Sequence, residues 1–160
     1  MTSEFVHLHN HSDYSLLDGA QRIDQLVNTI DDLNMDAVAL TEHGNMFSVL
    51  PYYKQAKNSG IKPIIGCEIY VAIGSRFEKK ARSDGGWGNN HLILLAQNFT
   101  GYRNLMKLVT AGYLEGFYYR PRIDMDLLRE YNEGLICMSA CLKGVVPEKM
   151  LKGDYKGARE

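Results

Sequence analysis

The chain has 160 residues, 45% of them hydrophobic and 23% charged, the balance of one ordinary globular domain rather than a disordered tail. Its formal net charge of −1 gives no basic footprint for nucleic acid, leaving room only for a local patch at Arg120 and Arg122. No run of about 18 apolar residues predicts a transmembrane helix. The start, Met1-Thr2-Ser3-Glu4-Phe5, lacks the features of a signal peptide, and the odd, uneven set Cys67, Cys137 and Cys141 is no disulfide framework, so a cytoplasmic location is expected.

Residues 5–9 read as a short opening strand. After the turn at Asp18-Gly19, Ile23, Leu26, Val27, Ile30 and Leu33 recur at helical spacing. The run Ala37-Val38-Ala39-Leu40 predicts a buried parallel strand. A helix is expected over residues 47–59, with Pro51 near its start and Gly60 as its stop signal. Residues 64–71 form the strongest predicted strand. Residues 74–90 are charged, glycine-rich and aperiodic, which predicts a long surface loop with Trp87 as its anchor. A strand over residues 92–95, a helix over 100–114, a short helix over 127–131 and a strand over 135–138 follow, and the chain ends in what reads as the first turn of a helix. Strands alternating with helices argue for a parallel α/β architecture, either an open doubly wound sheet or a barrel. The first strand is followed by histidines and not by a glycine-rich phosphate fingerprint, which disfavours a nucleotide-binding sheet.

Three clusters carry chemistry. In an extended chain His7, His9 and His11 share one face, and neutral imidazoles in that pattern suit Zn, Mn or Fe better than they suit a packed core. Thr41-Glu42-His43-Gly44 follows the second predicted strand, at the carboxyl edge where sites gather in parallel folds, although alone it reads equally as a turn. Glu68 sits in an apolar strand, where a carboxylate needs a cation: a metal, or else a buried Lys or Arg. Three positions stay open. Strand polarity puts His91 at the opposite rim unless its strand begins earlier. Cys141 is a thiolate ligand or a small buried residue, whereas Cys137 is expected in the core. Asp18 caps the following helix or reaches the metals. Divalent ions in such a site lower the pKa of a bound water and neutralise phosphoryl charge, so metal-assisted phosphoester hydrolysis is the expected reaction.

The runs Leu8-His9-Asn10-His11-Ser12, Thr41-Glu42-His43-Gly44 and Gly66-Cys67-Glu68 resemble the successive motifs of the polymerase and histidinol phosphatase (PHP) family. That family usually carries Asp where Glu42 stands, a conservative departure. Longer segments, among them Tyr14-Ser15-Leu16-Leu17-Asp18-Gly19, Ile61-Lys62-Pro63-Ile64-Ile65-Gly66-Cys67-Glu68 and Phe117-Tyr118-Tyr119-Arg120-Pro121-Arg122-Ile123-Asp124, resemble the version at the N-terminus of bacterial replicative DNA polymerase catalytic subunits.

The resemblance implies a PHP-type distorted (βα)7, TIM-like barrel. It implies up to three divalent metals, Zn first and Mn or Fe as alternatives, on His9, His11, Asp18, His43, Glu68, His91 and Cys141. Of these, His9, His11, His43 and Glu68 would be the catalytic set, and His7 falls outside the pattern. The family completes its site with an Asp-x-His pair beyond Cys141. Residues 1–160 are thus expected to be one PHP domain truncated to about five βα units, with an open barrel edge that invites pairing with another chain.

The implied function is that of a metal-dependent phosphoesterase domain within a DNA-directed DNA polymerase (a nucleotidyltransferase) in DNA replication, acting as a 3′→5′ exonuclease in proofreading. Its implied partners, reached through the full-length protein, are DNA, a proofreading exonuclease and a sliding clamp, with no membrane. The alternatives are a free-standing phosphatase of the histidinol phosphatase type and a non-catalytic structural or interaction module.

Overall fold

The computed structural model describes residues 4–16, 18–80 and 88–159. Helix α1 (Ile23–Asp32) forms on the predicted apolar stripe, burying Leu26, Val27 and Ile30. Strand β1 (Ala37–Leu40) is buried throughout. Helix α2 (Val49–Asn58) buries Tyr52 and Ala56, and Gly60 (φ +75°) supplies the left-handed stop after it. These elements share one core, in which Leu26, Val27 and Ile30 of α1 meet Val38, Leu40, Tyr52, Ala56 and Ile61.

Strand β2 (Lys62–Ala72) is the axis of the sheet. Its first half pairs in parallel with β1, Ala37 opposite Lys62 and Leu40 opposite Ile65. Its second half pairs antiparallel with β3 (Asn89–Ala96) and in parallel with the short β4 (Arg122–Ile123). Strand β5 (Leu135–Met138) lies antiparallel to β3, giving the order β1-β2-β3-β5 with β4 on β2. Because side chains alternate across a strand, β2 has two different faces. Cys67, Ile69 and Val71 turn to helix α3 (Phe99–Leu114) and helix α4 (Met125–Glu130), in a core with Leu94, Leu105, Leu108, Ile123, Leu127 and Leu128. The other face carries Glu68 and Tyr70, with His91 opposite Tyr70 and Ile93 opposite Glu68. Helices α5 (Val145–Leu151) and α6 (Tyr155–Arg159) follow; the second is the one whose first turn the sequence suggests.

The α/β class holds, with a sheet that is mixed rather than parallel. A parallel neighbour requires a long crossover, usually a helix, whereas the loop predicted between β2 and β3 permits an antiparallel return. Trp87 and the middle of that loop lie outside the described residues. The expected opening strand is reduced to an isolated bridge between His7 and Val38. Ala39 N donates to His7 O (2.8 Å) and Thr41 N to Asn10 O (2.9 Å). The Asn10 side chain takes the Ala39 carbonyl (3.1 Å), and the Asn10 N–H goes to Thr41 Oγ1 (3.1 Å), so side chains occupy positions a regular ladder would use. Cys137 is exposed on β5 instead of being in the core. Among the described residues no helix is long and apolar enough to cross a membrane.

Candidate metal centre

The site grows from the register of β2. Beyond β1 the chain stays alongside β2: Glu68 N donates to Glu42 O (3.0 Å) and Gly44 N to Glu68 O (2.8 Å), so His43 bridges directly to Glu68. On the other edge β3 begins at Asn89, earlier than expected, and runs antiparallel, which carries His91 to the same rim as His43. His9 and His11 arrive on the extended segment beside β1, Asp18 on the turn after it, and Cys141 after β5.

Glu68 is buried and its two oxygens divide the histidines. Oε2 lies 2.7 Å from His9 Nε2 and 3.2 Å from His11 Nε2. Oε1 lies 3.2 Å from His43 Nδ1 and in close contact with His91 Nδ1. His9 and His11 Nε2 are 3.0 Å apart, and the His11 and His43 rings stack at 3.9 Å. His43 Nε2 meets Asp18 Oδ2 at 2.8 Å, and Cys141 Sγ is 3.7 Å from His91 Nδ1. Asp18 does not cap α1, whose N-cap, Arg22, makes no side-chain cap bond. His7 stays outside, edge-on to Phe5 at 4.8 Å.

Burial alone would raise the Glu68 carboxyl, but contacts from His11, His43 and His91 outweigh it and hold the group far below the usual carboxylate range. Burial likewise works against a charged His43, yet Glu68 and Asp18 raise its pKa. The centre is therefore built to favour positive charge around Glu68. Among the described residues, His11 Nδ1, His43 Nδ1 and Glu68 Oε1 are buried without a hydrogen-bond partner. Buried polar atoms left unmatched in this way are costly unless a cation or another partner satisfies them. His9, His11 and Glu68 each offer a ligand atom within 4.8 Å of the others. Neutral imidazole with carboxylate suits a divalent transition ion. Cys67 is fully buried, and burial pushes its thiol well up, so it is no nucleophile.

A cleft of about 1020 Å³ opens beside the centre, lined by Asp18, His43, His91, Tyr70 and Arg120 among others. Sequence reasoning missed Tyr70, which the period of two along β2 places on the face of Glu68. Its ring lies 5.1 Å from His91 and 6.3 Å from His43. Burial raises its hydroxyl to about 12, opposed by the adjacent Arg120. The expected basic patch is half right: Arg120 faces the cleft, but Arg122 is buried and donates to the carbonyls of Gly116, Arg76 and Glu78. Glu42 is buried beneath the centre, bonded to Ser12 and Ser15.

The family model for the PHP domain matches residues 7–160. DNA polymerase III subunit alpha of Borreliella burgdorferi is 54% identical over 157 residues, covering 98% of this chain and 14% of that protein. The subunit of Treponema pallidum is 53% identical over 156 residues, covering 98% and 13%. That of Aquifex aeolicus is 51% identical over 164 residues, covering 100% and 14%. The chain thus spans about one seventh of the curated relatives it matches. Among solved structures, an amidohydrolase from Chromobacterium violaceum is 21% identical with a TM-score of 0.47, covering 66% of this chain and 32% of that one. With the family model running from the histidine segment to the last helix, the chain belongs to the PHP domain family.

Proposed function

We propose that the chain serves as the PHP region of a replicative DNA polymerase of the DNA polymerase III subunit alpha type, and that it hydrolyses phosphodiesters in the 3′→5′ direction at a divalent-metal centre. The observation that carries the reading is Glu68: a buried carboxylate with His9 and His11 on one oxygen and His43 and His91 on the other. The relatives at 54% and 53% identity support the polymerase setting over a free-standing phosphatase. DNA, a proofreading exonuclease and a sliding clamp would be met through the larger protein, in the cytoplasm.

His9, His11 and Glu68 Oε2 would hold one ion, and His43, His91 and Glu68 Oε1 the neighbouring position, with Cys141 beside His91 and Asp18 at the far edge of the His43 ring; Zn fits this donor set best. When bound, divalent ions supply charge neutralisation at the phosphoryl oxygens and a more acidic water. The protein's part is orientation. Asp18 fixes the His43 ring through Nε2, leaving Nδ1 towards Glu68. Tyr70, a neutral phenol near pH 7, has a hydroxyl at the cleft wall that can donate a hydrogen bond while accepting one from Arg120.

The test is elemental analysis of the purified protein, with hydrolysis of bis(p-nitrophenyl) phosphate and of a labelled single-stranded oligonucleotide. Stoichiometric metal and metal-dependent turnover, both lost in a His9→Ala/His11→Ala variant, are expected. A folded protein that takes up no Zn, Mn or Fe and hydrolyses neither substrate would overturn the reading.

A further inference from the structure

Arg120 and Arg122 lie two positions apart and do opposite work. Arg122 is buried and spends its donors on three backbone carbonyls. Arg120 is only half-buried, and among the described residues its side chain makes one hydrogen bond, from Nη1 to Tyr70 Oη at 2.8 Å. Its guanidinium also rests over the Tyr70 ring, 5.0 Å from the centroid. Among the described residues it meets no carboxylate. Tyr70 in turn packs against His91 and His43. A permanently charged fork, with most of its donors unspent, is thus held one side chain away from the metal centre. Planar, paired donors of this kind grip a phosphate or a carboxylate through two hydrogen bonds, and a phosphate is the group that the neighbouring centre would act on.

A second feature of the same cleft points to what the phosphate belongs to. Phe47, 67% exposed, and Tyr113 both line it. Their rings are 6.3 Å apart, and Phe117, 50% exposed, continues the row at 6.2 Å from Tyr113 in a stacked arrangement. Contiguous exposed aromatics running out of a catalytic cleft mark a ligand surface. Aromatic faces beside a cation are the means by which proteins hold single-stranded nucleic acid without reading its sequence. Of the acids lining the cleft, Asp18 faces His43 and Glu148 is paired with Lys152; Asp13 is the third. Arg120 and Lys143 provide the opposing positive charge.

We infer that this cleft is the seat for the terminal nucleotide of a single strand: Arg120 grips the phosphate, Phe47 and Tyr113 stack on the base, and Phe117 extends the track outwards. The inference rests on the phosphodiester reading above and names the residues that would make the substrate a polynucleotide rather than a small phosphate ester.

The experiment uses the protein in chelating buffer, so that binding is read without turnover. A short oligothymidylate carrying 5-iodouracil at its 3′ end is irradiated and the cross-linked peptides are mapped. Its affinity is measured by fluorescence anisotropy across a salt series. Cross-links to Phe47 or Tyr113 are expected. Phe47→Ala/Tyr113→Ala should weaken binding by about tenfold or more. Arg120→Gln should weaken it and lower the salt slope by about one. Phe99→Ala, at least as exposed as either but away from the cleft, should bind like the parent. Cross-links confined to other peptides, no measurable binding, or unchanged affinity in the double variant would each overturn the inference. Turnover of bis(p-nitrophenyl) phosphate by the metal-loaded parent reports separately on the phosphodiester reading.

Discussion

Glu42 holds Ser12 from beneath the metal centre: the Ser12 backbone N–H approaches both carboxylate oxygens at 3.2 Å, and its hydroxyl donates to Oε1. Ser15 donates its hydroxyl to Oε2 and accepts from His43 N at 3.1 Å. One buried carboxylate therefore ties the segment between His11 and Asp18 to the turn that carries His43. Glu42→Ala leaves these donors buried and unmatched, at a cost of about 2–4 kcal/mol. It should also loosen metal binding by roughly 10–100-fold, as loss of an outer support does. Glu42→Asp keeps the charge and should recover most of both. Thermal unfolding and chelator competition on the three proteins measure this; equal metal affinity in all three would show that the carboxylate does not position the ligands.

Gly44 is the next constraint. It sits at φ +63°, and a Cβ there would lie 2.8 Å from Pro121 Cγ and 2.9 Å from Tyr70 Cε2. Gly44→Ala therefore meets left-handed backbone strain of about 1–2 kcal/mol and must push back the ring that supports Arg120. The expected result is a melting point lower by several degrees, about 2–4 °C per kcal/mol in a domain of this size, together with weaker oligonucleotide binding. Unaltered stability would mean that Tyr70 and Pro121 yield without cost.

Much of this architecture is legible locally. The stripe of Leu26, Val27 and Ile30, the apolar run of β1 and the stop at Gly60 are written in short windows of sequence, and they fold as read. What failed depends on distant pairing. His91 is misplaced only while β3 is assumed parallel; the antiparallel return sets it opposite Tyr70. Cys137 reads as core from its apolar neighbours, but only the pairing of β5 decides which of its faces is covered. Arg120 and Arg122 look equivalent in a basic run, and only the carbonyls of residues 76, 78 and 116 separate the buried one from the open one. His7 shares the spacing of His9 and His11, yet its ring packs edge-on against Phe5 and not against Glu68.

Away from the centre, Asp124 caps α4 by accepting from Leu127 N at 3.0 Å and receives Arg76 through Nη1 at 3.0 Å. Burial would raise this carboxyl, but the Arg76 and Leu127 bonds prevail and its pKa falls below the ordinary 3.8. Its folded value lies under its unfolded one, so its stabilisation is complete above about pH 4 and is lost as the pH falls through the folded value. Asp124→Asn should cost about 1–3 kcal/mol at neutral pH and flatten the loss of stability on acidification. Urea unfolding of both proteins from neutral to acid pH checks the sign; parallel curves would remove Asp124 from the acid limb.

Metal loading itself should be visible in stability, because the orphaned atoms His11 Nδ1, His43 Nδ1 and Glu68 Oε1 are arranged only in the folded chain. An ion that binds the native state at a hundred times its dissociation constant adds about 2.7 kcal/mol, or roughly 5–11 °C at the scaling for this chain length. Glu68→Gln keeps the shape but removes the charge that both pairs of histidines face. In that variant the melting point should no longer respond to Zn, although the sheet remains intact by circular dichroism. His7→Ala lies outside the centre and should retain the full response. A Zn-induced rise that persists in Glu68→Gln would place the ion somewhere other than between these histidines.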